Sequence, residues 1–214
     1  MPDTRALVVD TALRLFRERG YEATTMRLVA AEAGLSVGNA YYYFPGKDAL
    51  VQELYRRIQV EHRAAVADRL PRGGTLEQRL TGTWLAGLAV MAPYRSFGAG
   101  FVSRAIRPGE AASPFSDASS EARELAVHLL RDVVEGARPA VPGTVARELP
   151  ELLWLAWLGV TVFWLNDPTP DAGRTRRLVT GAAPLIGRLV RLSRLPVLRT
   201  TVTDVLALVE DVRR

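Results

Sequence analysis

The sequence predicts an all-α protein. Apolar residues recur at helical spacing in almost every long segment, no stretch alternates convincingly as a strand, and glycine- or proline-bearing breaks separate the periodic segments. Thr4–Arg19 places Leu7, Val8, Thr11, Ala12, Leu15 and Phe16 on one face, and Gly20 follows as a stop. Thr24 and Thr25 offer an N-cap to a short helix, Met26–Ala33, with Leu28, Val29 and Ala33 inward; Gly34 ends it. Ser36 caps a third short helix, Val37–Phe44, and Pro45-Gly46 breaks the chain. Lys47–Leu70 carries Leu50, Leu54, Ile58 and Val66 on its apolar side, before the loop at 71–74.

Beyond that loop the same periodicity predicts a helix over Leu76–Met91, closed by Ala92-Pro93, and a helix or irregular apolar stretch over Phe97–Ile106. Two prolines and several small residues make Arg107–Ser116 a mobile loop. Ser119 caps a helix to about Gly136, a loop covers Arg138–Gly143, and Arg147–Asn166 holds Trp154, Trp157, Phe163 and Trp164. After a break at Asp167–Pro170, Gly173–Leu195 reads as a basic amphipathic helix that Pro184 should kink, and Pro196 restarts a last helix. The expected total is nine or ten helices, with no internal repeat.

At 214 residues the chain can hold one large core, or a small module joined to a larger domain. The absence of cysteine excludes disulfides and thiolate metal sites, and His62 and His128 are the only histidines. No nucleophile–base pair, metal cluster or glycine-rich phosphate loop is visible, so an enzyme is not expected and no cofactor is assigned. The apolar run Leu152–Leu165 is too short to cross a bilayer and is flanked by acids. The start, MPDTRALVVD, has an acid where an export signal has basic then apolar residues, and the expected location is cytoplasmic. Of 28 basic side chains only Lys47 is a lysine. The net charge of +5 is concentrated toward the C-terminus: residues 171–214 hold nine basic and four acidic groups. Such a tail is a solvated face or meets an anionic partner, and membrane-surface association through Gly173–Leu195 is the alternative reading of the chain.

The second and third helices, with Ala33-Gly34-Leu35-Ser36 between them, have the helix-turn-helix layout. Gly34 can take positive φ, Leu35 can plug the gap between the helices, and Ser36 can cap the helix that would enter a major groove. The segments ALRLFRERGYEATT (12–25), AAEAGLSVG (30–38) and YYYFPGKDAL (41–50) resemble the DNA-binding domain of TetR-family transcriptional regulators in residue type and spacing. The resemblance implies a DNA-binding domain over 1–48 and a helical effector-binding and dimerisation domain over 49–214. It also implies a homodimer on a double-stranded operator, and most simply a repressor released by a small molecule. With so short a stretch before the first helix, the family's occasional basic minor-groove arm is not expected.

On that reading Phe44 packs into the core on Phe16 and Leu28, Tyr41 is partly core, and Tyr42 and Tyr43 face the duplex. Ser36, Val37, Gly38 and Asn39 form the helix start that approaches the groove, with Asn39 the candidate for a base contact. Lys47, Thr25 and Arg27 are candidates for phosphate. Residues 1–70 carry ten basic and nine acidic groups, so one module would neutralise few phosphates and a dimer reading two half-sites is required. In the remainder, Trp84, Leu88, Met91, Phe97, Phe101, Phe115, Trp157 and Phe163 are the expected wall of a cavity for an apolar or aromatic effector. Leu153, Ala156, Val160, Ala182, Leu185, Ile186 and Leu189 are the expected dimer contacts.

Overall fold

The computed structural model describes residues 3–68, 74–105, 107 and 109–194, and contains helices and turns with no strand among them. The α-helices are α1 (Thr4–Arg19), α2 (Met26–Glu32), α3 (Val37–Tyr43), α4 (Lys47–Ala67), α5 (Leu76–Met91), α6 (Arg95–Ala105), α7 (Ser120–Glu135), α8 (Gly143–Leu165) and α9 (Gly173–Leu192). The helix expected after Pro196 lies outside the described residues. Two compact units share these elements: Met1–Glu61 with Val90–Leu125, and His62–Ala89 with Ala126–Arg214.

In the first unit, Val8, Ala12, Leu15 and Phe16 of α1 meet Val29 and Ala30 of α2, Ala40 of α3, and Leu50, Val51 and Leu54 of α4. Phe97 and Phe101 of α6 complete this core. Phe97 stacks on Phe16 with centroids 5.2 Å apart, and Phe101 meets Tyr21 edge-on at 5.3 Å. Within the loop expected over 107–116, Ala111 and Ala112 contact α4. Gln52 Nε2 donates to the Ala111 carbonyl (2.7 Å), and Tyr55 Oη to that of Ala112 (2.9 Å). These bonds pin the loop's backbone there.

In the second unit α8 packs against α9. Trp84 and Trp157 are buried and stacked, 6.2 Å between centroids. Arg79, itself buried, donates to the carbonyls of Val133 (Nε, 2.9 Å) and Asp132 (Nη2, 2.8 Å), satisfying acceptors at the end of α7. A Cβ on Gly136 would lie 2.1 Å from Arg79 Nη2, so glycine is what admits the guanidinium there. Between α8 and α9 the chain takes Asp171 and Ala172 through positive φ (52° and 53°). Asp167 holds this turn. Its carboxylate accepts from the backbone N and hydroxyl of Thr169 (3.0 and 2.6 Å) and of Thr175 (both 2.8 Å). Burial alone would raise the Asp167 pKa, but these four bonds hold it well below the ordinary carboxylate range.

Pro184 lies within α9 without ending it. α8 begins four residues earlier than Arg147 and, at 23 residues, is long and apolar enough to cross a membrane by length and composition. One side of it, Leu149, Leu153, Trp154, Trp157, Val160 and Trp164, is buried within the protein.

Candidate nucleic-acid interface

The second and third helices are built by local chemistry. Thr25 Oγ1 accepts from Leu28 N (3.1 Å) and caps α2; Ser36 Oγ accepts from Asn39 N (3.1 Å) and caps α3. Gly34, at φ 68°, turns the chain, and Leu35 N returns to the Ala30 carbonyl (2.9 Å), the closing bond of a Schellman turn. Leu35 packs partly buried on the core, as a plug should.

Ala40 is the only buried residue of α3. Ser36, Val37, Gly38, Asn39, Tyr41 and Tyr42 are exposed, Tyr42 at 83%. Phe44 is 3% exposed and leaves the helix in an extended conformation (φ −138°), which returns its ring to the core. The Arg5 guanidinium covers that ring, 4.9 Å from its centroid, and Arg5 Nη2 also donates to Glu53 (2.7 Å) on α4. Burial would raise the Glu53 pKa, yet Arg56 and Arg5 together hold it below the usual carboxylate value. The third helix is thus fastened from behind with its outer face bare. At the start of α2, Thr25 and Arg27 are exposed.

Three residues sit differently from expectation. Tyr43 is half-buried against the core and meets Tyr42 edge-on at 5.2 Å, whereas Tyr41, expected to be partly core, is 48% exposed. The helix ends one residue before Phe44, and the turn there brings Tyr43 and Phe44 inward together. Lys47 is half-buried: its Nζ donates to the Tyr21 carbonyl (2.8 Å) and stands 4.2 Å from the centroid of the Tyr21 ring. Tyr21 and its bond to Asp48 (2.7 Å) are absent from the sequence expectation. The only signal was an aromatic placed directly after the helix stop at Gly20.

The eight residues expected around an effector cavity are divided between the two units. Met91 packs on the first unit's core, to which Phe97 and Phe101 belong. Phe115 is 63% exposed, and Phe163 is exposed on α8. Trp84, Leu88 and Trp157 are buried in the second unit, with His62 against Trp157 at 5.9 Å. His62 Nε2 lies 2.8 Å from the Thr83 carbonyl, and His128 is exposed.

Among the expected dimer contacts, Leu153 and Val160 face the interior of their own chain. Ala182 and Ile186 are half-buried, and Ala156, Leu185 and Leu189 are exposed. Leu155, Val162, Phe163, Leu178 and Leu192 join them as exposed apolar residues on α8 and α9.

Burial lowers the pKa of His62, partly offset by its bond to Thr83. The folded protein therefore resists the proton that an unfolded histidine takes up below about pH 6.5, and stability falls as pH drops through that value. Thermal melts between about pH 7.5 and 5.5 are expected to show a falling midpoint. His62→Phe should flatten this dependence; an unaltered slope would assign the pH sensitivity to other groups.

Residues 8–54 match the family model for bacterial regulatory proteins of the tetR family, and residues 79–208 that for the tetracyclin repressor-like C-terminal domain. The HTH-type transcriptional repressor KstR2 of Rhodococcus jostii is 36% identical over 86 residues, 38% of this chain and 42% of that protein. The chain thus aligns with less than half the length of this curated relative. A TetR regulator from Nitrosomonas europaea has a TM-score of 0.65 at 19% identity, covering 85% of this chain and 96% of that one. Thermus thermophilus FadR, a TetR-family repressor solved with lauroyl-CoA, has a TM-score of 0.64 at 20% identity, covering 89% and 95%. At these identities the solved structures speak for the fold. With both family models matched and a helix-turn-helix in place at residues 26–43, the chain belongs to the TetR family of DNA-binding transcriptional regulators.

Proposed function

We propose that this protein is a homodimeric repressor that reads a near-palindromic operator with α3 and is released by a small apolar or aromatic molecule. The observation that carries the reading is α3 itself, a capped helix anchored by Ala40 and Phe44 with Val37, Asn39, Tyr41 and Tyr42 bare. Small residues at its start admit the backbone to a major groove, Asn39 can both donate and accept at a base edge, and tyrosine hydroxyls can reach phosphate. Thr25, Arg27 and Lys47 would supply further phosphate contacts. Functionally, residues 1–48 form the DNA-reading module and residues 49–214 the effector and dimer region. The protein acts in the cytoplasm, where its operator lies.

Release follows from linkage. A ligand that binds better to the protomer arrangement with widely spaced recognition helices lowers operator affinity by that difference in affinity, and by no more. α4, which carries Lys47 at its start and runs to Ala67, is the natural lever. The lauroyl-CoA held by the Thermus protein supports a small-molecule effector in general terms. The family assignment leaves the membrane-surface reading without support.

A mobility-shift assay with DNA from upstream of the protein's own coding sequence tests the proposal. Tyr42→Ala combined with Lys47→Ala is expected to abolish the shift while helical circular dichroism is retained. A normal shift by that double variant would remove α3 and the start of α4 as the reading surface.

A further inference from the structure

Lys47 opens α4, where the helix dipole disfavours a positive charge. A lysine side chain also loses substantial rotamer freedom when its ammonium is held in one place. Something must therefore oppose both costs if that ammonium is to be presented consistently. The structure supplies it in one residue. Tyr21 offers its carbonyl to Lys47 Nζ at 2.8 Å and the face of its ring at 4.2 Å, so backbone and side chain grip the same cation. Its hydroxyl, 2.7 Å from Asp48 Oδ1, ties down the carboxylate next in sequence. Tyr21 is itself 6% exposed and wedged among Phe16 (5.3 Å), Phe97 (6.4 Å) and Phe101 (5.3 Å), so the grip belongs to a rigid aromatic stack.

We infer that Tyr21 is a positioning residue for DNA binding, holding the Lys47 ammonium at the site where it meets phosphate. The inference rests on the DNA-binding reading above and adds to it. Tyr21 touches no nucleic acid; it removes the entropy that Lys47 would otherwise lose on binding.

The test is a set of titrations of a labelled duplex from the upstream DNA at several salt concentrations. Lys47→Met should weaken binding about tenfold and reduce the salt slope by about 0.9 per protomer, one phosphate contact. Tyr21→Leu, which removes ring and hydroxyl but keeps the backbone carbonyl, should weaken binding less than Lys47→Met, and Tyr21→Phe, which removes only the hydroxyl, should cost less still. The Tyr21→Leu/Lys47→Met double variant should bind no worse than Lys47→Met alone, because the tyrosine acts through the lysine. The wild-type protein provides a check that does not depend on any variant folding: ring current from Tyr21 should move the Lys47 ε-methylene protons upfield in the free protein. Additive losses in the double variant, an unaltered salt slope in Tyr21→Leu, or ε-methylene protons at their random-coil position would each overturn the inference. If Lys47→Met binds as the wild type does while Tyr42→Ala fails to bind, the positioning role falls and the α3 reading stands. If the wild type shows no preference for this duplex over random DNA and no salt dependence, both fall.

Discussion

Replacing Leu185 and Leu189 together by Glu is expected to leave the protein folded but monomeric, and to abolish its complex with operator DNA. Leu185 is 56% and Leu189 66% exposed, and Leu178 and Leu192 stand on the same exposed side of α9. The spacing from 178 to 185 to 192 is a strict seven residues, the repeat of helices that pack along their length. Leu155, Val162 and Phe163 of α8 are exposed as well. Clusters of exposed large apolar residues mark interaction surfaces. Burying a leucine side chain contributes about 1.5–3 kcal/mol, and a two-fold interface counts each substitution twice. Two buried glutamates per chain would add desolvation and like-charge repulsion. Sedimentation should show a dimer for the wild type and a monomer for the variant at micromolar concentration, and the mobility shift should vanish because one half-site neutralises few phosphates. A variant that remains dimeric would place the interface elsewhere.

Phe44→Ala is the second large effect, and it acts through position. The side chain is 3% exposed, closes the C-terminal end of α3 and carries the Arg5 guanidinium on its ring. Truncating a buried phenylalanine costs about 3–5 kcal/mol. The loss falls on the first unit, whose core holds Phe44. Amide hydrogen exchange should report faster exchange in α2 and α3 with little change in α8 and α9, together with lost DNA binding. Unaltered protection in α3 would mean that Phe44 is not its anchor.

Much of the N-terminal unit was legible because its signals are local. The caps at Thr25 and Ser36, the positive-φ glycine at 34 and the core role of Phe44 follow from neighbours within a few residues. What escaped depends on contacts distant in sequence. Phe97 and Phe101 look like any aromatic pair on an amphipathic helix; only the fold brings them onto Phe16 and Tyr21. Lys47 was readable as a cation at a helix start, but its hold by Tyr21 spans 26 residues. On α8 both faces are apolar, so periodicity shows a helix without saying which face looks inward. Leu153 and Val160, expected at the dimer contact, are buried within the chain, whereas Leu155, Ala156, Val162 and Phe163 are exposed. On α9 polar residues mark the outside more clearly, and Leu185 and Leu189 are exposed.

The central claim is that the start of α3 enters the major groove, and the chain's lack of cysteine makes that directly testable. Asn39→Cys introduces a unique thiol at the exposed start of α3, to which an iron chelate can be tethered. Cleavage of the upstream duplex should fall in two clusters on one face of the DNA, about one helical turn apart, at major-groove positions. The same chelate on His128→Cys, exposed on α7, should cut weakly and without pattern. Indistinguishable cleavage from the two positions would contradict the claim.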